Sequence, residues 1–123
     1  MPELASLSVE RDSAVQIVHL SGEVDISNAG PLEEHISDAV PNDVTGLVLD
    51  LSETQYLDSA GIRMLFELAQ RLEGRRQSLI LAVPETALIR HSLIVTEVDQ
   101  AMGLEDSVDE ALEALAGSGE PVD

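Results

Sequence analysis

The residues best placed to do chemistry in this chain surround one hydroxyl. Gly46-Leu47-Val48-Leu49-Asp50-Leu51-Ser52 is an apolar run of strand character, and Tyr56-Leu57-Asp58-Ser59-Ala60-Gly61-Ile62 follows after a short loop. A helical pattern begins there, which sets Ser59 at a helix N-terminus. Unpaired backbone N–H groups and the helix dipole favour negative charge at such an end, so a phosphate on Ser59 is well accommodated. The same residues also read as an ordinary cap, because Asp and Ser are both favoured at that position, each contributing about 1 kcal/mol. Asp58-Ser59-Ala60-Gly61 alone does not decide between the two.

Competing chemistries for Ser59 are weaker. A hydrolase nucleophile elbow has glycines on both sides of the serine, as G-x-S-x-G. Here Gly61 is in place but Leu57 stands two before the serine, and His91 is the one histidine downstream. A phosphate-accepting receiver domain uses an acidic cluster with Mg²⁺ and a lysine, and this chain contains no lysine. His19, His35 and His91 fall on different elements without the i, i+4 spacing of a metal pair, and each reads as an ordinary structural or surface histidine. Gly22, Gly30 and Gly46 do not have the spacing of a nucleotide-binding loop. No catalytic residue, metal site or cofactor is expected.

Composition narrows the setting. A chain of 123 residues is one domain with room for a core. It carries 24 acidic and 6 basic residues, for a formal charge of −18. Such a surface repels nucleic acid and anionic lipid, and is steered toward basic protein surfaces; it also aids solubility. There is no cysteine, so disulfides and thiolate chemistry are excluded. No signal-peptide pattern and no apolar stretch of bilayer-spanning length is present, so a cytoplasmic location is expected.

The elements that position Ser59 are legible from their periods. Strands are expected at residues 7–11 and 14–20, joined by an Asp12-Ser13 turn into an antiparallel hairpin. Ser21-Gly22-Glu23-Val24-Asp25 reads as a polar loop. Pro31 opens a first helix with Leu32, Ile36, Ala39 and Val40 on one face, ended by Pro41-Asn42-Asp43. Residues 46–51 form a strand buried on both faces, as in a central parallel strand. The helix after Ser59 buries Ile62, Leu65, Leu68, Ala69 and Leu72, and Gly74 stops it. A strand at residues 78–83, a short helix anchored by Leu88, Ile89 and Leu93, and a strand within residues 100–104 follow. Ser107-Val108-Asp109-Glu110 is a capping box for a last helix that buries Val108, Ala111, Leu112 and Leu115. The result is an α/β domain with a mixed, mostly parallel sheet of four to five strands and about four helices. Its expected extent is 7–116, between a flexible segment 1–6 and a disordered tail 117–123.

Three pieces in order, Leu20-Ser21-Gly22-Glu23-Val24-Asp25, Leu49-Asp50-Leu51-Ser52 and Leu57-Asp58-Ser59-Ala60-Gly61-Ile62, resemble the STAS domain of bacterial anti-sigma-factor antagonists, the sporulation antagonist among them. The resemblance spans residues 7–115. It implies that Ser59 is the phosphorylated serine and that Asp25 lies near it at the partner interface. It further implies a partner switch in transcription regulation: the unphosphorylated protein binds an anti-sigma factor that is a serine kinase and frees a sigma factor. Phosphorylation of Ser59 ejects the antagonist, and a PP2C-type phosphatase resets it. The expected partner-binding face comprises Asp25, Ser27, Asp58, Ser59, Ala60, Gly61, Ile62 and Arg63. Arg63 is expected to face solvent, and Ile62 belongs either to that face or to the core. Ser59 alone, not Ser21, Ser27 or Ser52, joins a helix start to a nearby glycine, which lets a kinase approach the backbone. In this role the protein is a binding module and kinase substrate, not an enzyme. The alternative is a cytoplasmic STAS subunit of an ABC-type lipid-trafficking transporter. Two positions depart from the family pattern: Ala60 replaces the frequent second hydroxyl, and the loop at Thr96-Glu97-Val98 lacks the usual glycine.

Overall fold

The computed structural model describes residues 4–119. Among them are six strands: β1 (Ala5–Asp12), β2 (Val15–Val24), β3 (Gly46–Asp50), β4 (Thr54–Leu57), β5 (Ser78–Ala82) and β6 (Gly103–Glu105). Five helices accompany them: α1 (Ala29–Asp38), α2 (Ser59–Gly74), α3 (Leu88–Val95), α4 (Val98–Ala101) and α5 (Val108–Gly119). The sheet order is β1-β2-β3-β5-β6, with β4 paired to β2 off this path. The hairpin β1–β2 is antiparallel and every other pairing is parallel. This is the expected mixed α/β architecture, with one strand and one helix more than anticipated.

Alternation along the strands divides the core in two. Val18, Leu20, Leu47, Leu49 and Leu81 pack with Leu32 and Ile36 of α1 and Leu65, Leu68 and Leu72 of α2. On the other face Ile17, Val48 and Ile80 meet Ala111 and Leu115 of α5. Leu47, Val48 and Leu49 are fully buried, as the unbroken apolar run of β3 requires. Burial of each such side chain contributes roughly 1.5–3 kcal/mol.

The extra strand arises because β2 has two neighbours along one edge. Residues Val15 to His19 pair with β3, and Gly22 to Val24 pair with β4, with a register shift between Gly22 and Glu23. Gly22 makes this possible. Its φ is +99°, and a Cβ there would lie 2.2 Å from the Leu4 carbonyl oxygen. Its N–H donates to Glu53 O at 3.0 Å, while Glu23 N–H donates to Leu4 O at 2.9 Å. Ser21 to Val24, expected as loop, is therefore strand.

Other boundaries shift for identifiable reasons. β1 begins at Ala5, so part of the expected flexible segment is strand, and α5 runs to Gly119, past the expected domain end at 116. Residues 1–3 of the expected flexible segment and 120–123 of the expected disordered tail lie outside the described residues. α1 starts at Ala29, before Pro31, because Ala29 N–H already bonds Asp25 O at 2.9 Å. Gly74 is helical; the left-handed residue after α2 is Arg76, at φ 62°. Leu88 is 86% exposed and anchors nothing, whereas Ile89 and Leu93 are buried. The cap of α5 forms with a shifted return bond: Glu110 N–H donates to Ser107 Oγ at 3.1 Å, and the Glu110 carboxylate accepts from Asp106 N–H at 3.2 Å.

The Thr96-Glu97-Val98 loop, which lacks the glycine that the resemblance implies, has a specific cost. Glu97 itself takes the left-handed conformation, with φ 62° and ψ 27°. A side chain at such a position is disfavoured by roughly 1–2 kcal/mol. Substituting Glu97→Gly is expected to stabilise the chain by about 0.5–1 kcal/mol, after the added freedom of the unfolded glycine is subtracted. Gly22→Ala, with its contact to Leu4, is expected to destabilise it by about 2 kcal/mol or more. Urea denaturation of both variants checks the opposite signs.

Candidate functional site

The site grows from the carboxylate of Asp58. Asp58 is the N-cap of α2, in extended conformation, and its Oδ1 accepts from Ala60 N–H at 2.8 Å and Gly61 N–H at 3.0 Å. Its backbone is held as well: Asp58 N–H donates to Val24 O at 3.2 Å, and Asp58 O accepts from Ile62 N–H at 3.0 Å. The second carboxylate oxygen, Oδ2, accepts from Ile26 N–H at 3.3 Å. One side chain thus joins the start of α2 to the loop between β2 and α1.

That loop is itself ordered by polar side chains. Asp25 Oδ1 accepts from Ser27 N–H at 2.8 Å and from the Ser27 hydroxyl. These donors hold the Asp25 carboxyl below the usual carboxylate range, so it stays ionised at neutral pH. Asn28 clamps the loop ends, accepting from Asp25 N–H at 2.9 Å and donating to Glu23 O at 2.9 Å.

Ser59 is the first residue of α2 and is exposed. Its hydroxyl has no hydrogen-bond partner, histidine or other, among the described residues. Asp58 already occupies the Ala60 and Gly61 N–H groups, so the helix end is less vacant than the sequence implies. A phosphate on Ser59 would sit beside a carboxylate that is already in place.

The expected site residues come together with one change of role. Asp25, Ser27, Asp58, Ser59, Ala60 and Gly61 occupy the β2–α1 loop and the first turn of α2. Arg63 is exposed; Ile62 is half-buried against the core, intermediate between its two expected placements. Gly61, however, is buried. A Cβ there would lie 3.1 Å from Leu57 Cδ2 and 3.3 Å from Val24 Cγ1. Its missing side chain seats α2 against β4 and β2, and does not open the backbone to an incoming enzyme.

Two features lie outside the expected set. Ile26 is 85% exposed beside Asp58. Its signal is one apolar residue inside an otherwise polar loop. A groove of about 260 Å³ runs from Ile26 between α1 and α2, lined also by Ala60, Arg63, Met64, Glu33 and Glu67. Burial and the facing carboxylate of Glu67 raise the Glu33 carboxyl above its ordinary range, while Arg71 opposes the rise. Arg71 Nε lies 2.9 Å from Glu33 Oε2. Among the described residues, no cluster has the composition and geometry to hold a metal ion, and no helix is long and apolar enough to cross a membrane.

Known proteins resemble this chain in sequence and in fold. The chain is 25% identical over 116 residues to the anti-sigma-F factor antagonist RsfB of Mycobacterium tuberculosis, covering 94% of this chain and 93% of that one. It superposes on an anti-sigma factor antagonist from Mycobacterium paratuberculosis with a TM-score of 0.76 and 29% identity, covering 91% and 94% of the two chains. The Bacillus cell fate determinant SpoIIAA in its phosphorylated form has the same fold at 20% identity, with a TM-score of 0.64 over 89% of this chain and 99% of that one. The STAS domain model matches residues 6–111, from β1 into the first turn of α5. The chain therefore belongs to the STAS domain family.

Proposed function

We propose that this protein is an anti-sigma-factor antagonist that binds an anti-sigma serine kinase and is switched off by phosphorylation of Ser59. The observation that carries the reading is the exposed, unpartnered Ser59 hydroxyl beside Asp58, whose carboxylate also fastens the Asp25 loop. Support comes from the mycobacterial relatives, named as antagonists and similar over nearly the full chain. The bound kinase covers Asp25, Ser27, the first turn of α2 from Asp58 to Ile62, and Arg63, with exposed Ile26 as an apolar contact. The acidic surface steers the chain toward a basic partner.

The switch then follows from charge. A phosphate adds about −1.5 to −2 charges at pH 7. In the free protein that charge is hydrated. Inside a packed interface it is desolvated next to Asp25 and Asp58, where juxtaposed like charges cost several kcal/mol. Each 1.4 kcal/mol is about a tenfold loss of affinity, so the modified protein leaves. A PP2C-type phosphatase restores the binding form. The chain itself acts as a binding module and substrate, working in the cytoplasm with the sigma-factor machinery.

Ser59→Asp is expected to keep the fold but weaken kinase binding at least about tenfold, whereas Ser59→Ala binds within about threefold of the native chain. Titration calorimetry with an anti-sigma kinase that binds the native chain compares them, and equal affinities remove Ser59 from the switch. Incubation with that kinase and ATP is expected to place one phosphate on Ser59 and none on Ser21, Ser27 or Ser52, as read by peptide mass spectrometry. A phosphate chiefly elsewhere, or none despite binding, turns the reading toward a transporter subunit.

Arg63→Glu tests where the face lies. It is expected to change the association rate and its salt dependence, because Arg63 is exposed one turn from the serine. Stopped-flow association at two ionic strengths measures both. Unchanged values place the interface elsewhere.

A further inference from the structure

The face of the sheet opposite α1 and α2 is only partly covered. α5 packs on β3, β5 and β6. Beside it, toward β1 and β2, lies an open hollow of about 450 Å³, lined by Ser6, Ser8, His19, Ser21, Asp50 and Ser52 among others. In its wall His19 of β2 stands between two other strands. Its Nδ1 is 2.6 Å from Asp50 Oδ2 on β3, and its Nε2 is 3.1 Å from Glu10 Oε2 on β1. The His19 and Asp50 side chains are 33% and 14% exposed.

Both ring nitrogens therefore face carboxylates. An ionised carboxylate only accepts, and a neutral imidazole has a single N–H, so both contacts are hydrogen bonds only when the ring is protonated. The same Asp50 holds the next turn, since its Oδ1 accepts from Ser52 N–H at 3.0 Å. That turn leads into β4.

We propose that His19 is a proton-dependent clasp: as the imidazolium it ties the edge strand β1 to β3 and its following turn, and its deprotonation loosens β1 and residues 51–53. The groups facing it are Glu10 from β1, Asp50 from β3 and, across the hollow, Glu53 from the turn; no arginine lines that hollow among the described residues. The hydrogen bond to Asp50 raises the His19 pKa above 6.5, partial burial opposes the rise, and Glu10 adds to it. A raised folded-state value means that the clasp's stabilisation is complete below pH 6.5. It is lost as pH climbs through the folded value. The serine switch at the start of α2 does not depend on this clasp, and the clasp stands whether or not Ser59 is phosphorylated.

The test is NMR on the full chain between pH 6 and 9. The His19 ring is expected to titrate above 6.5. Protection of β1 amides against exchange, corrected for intrinsic rates, is expected to fall by about tenfold per unit of pKa elevation as pH rises through that titration. His19→Gln is expected to abolish the pH-dependent part. Glu10 is exposed and contributes one contact, so Glu10→Gln keeps the fold available if the first variant fails. It is expected to bring the His19 titration closer to 6.5 and shrink the change in β1 protection. A ring that titrates at or below 6.5, β1 protection independent of pH, a pH dependence that survives in folded His19→Gln, or one left undiminished in Glu10→Gln each overturns the clasp.

Discussion

The Asp58 carboxylate is the constraint on which the candidate site rests. One oxygen satisfies two N–H groups of α2 and the other holds Ile26 N–H. Helix ends need such partners, because their first N–H groups have none within the helix. Here the partner also bridges two segments separated by more than thirty residues. The orientation of Ser59 and the shape of the Asp25 loop are therefore set together. Any group that competes for Asp58 acts on both at once.

Gly22 and Gly61 make that arrangement sterically possible. Gly22 lets β2 pass from β3 to β4 without a break, which carries the chain's next segment along the sheet to Asp58. Gly61 then lets the first turn of α2 lie against Leu57 and Val24. Close approach, rather than exposure, is what both positions require. The consequence is a serine on a helix start that is packed against the sheet on one side and open to solvent on the other.

What was legible in the sequence was local. The Asp58-Ser59 start of α2 and the Leu65, Leu68, Leu72 stripe follow from capping preference and a 3.6-residue period. β4 escaped because Gln55 and Tyr56 are both exposed between buried Thr54 and Leu57, which breaks alternation; its pairing depends on the register shift at Gly22. The end of α2 was misplaced because the chain turns left-handed at Arg76, not at the glycine two residues earlier. His19 read as ordinary because its two carboxylate partners come from strands whose register the sequence does not display. Family resemblance named residues on two segments that the Asp58 carboxylate joins, while Ile26 and the α1–α2 groove emerge only from three-dimensional proximity.

The edge strands β1 and β6 bear on how other chains can meet the sheet. β6 is three residues long, and β1 carries Glu10, Arg11 and Asp12 along its second half. Short or charged edges are poor templates for added strands. A dense negative surface further discourages copies of the chain from aligning their backbones. Recognition of this domain is thereby directed to loops and helix faces, where a single charge change can be read, and away from main-chain pairing, which is indifferent to it.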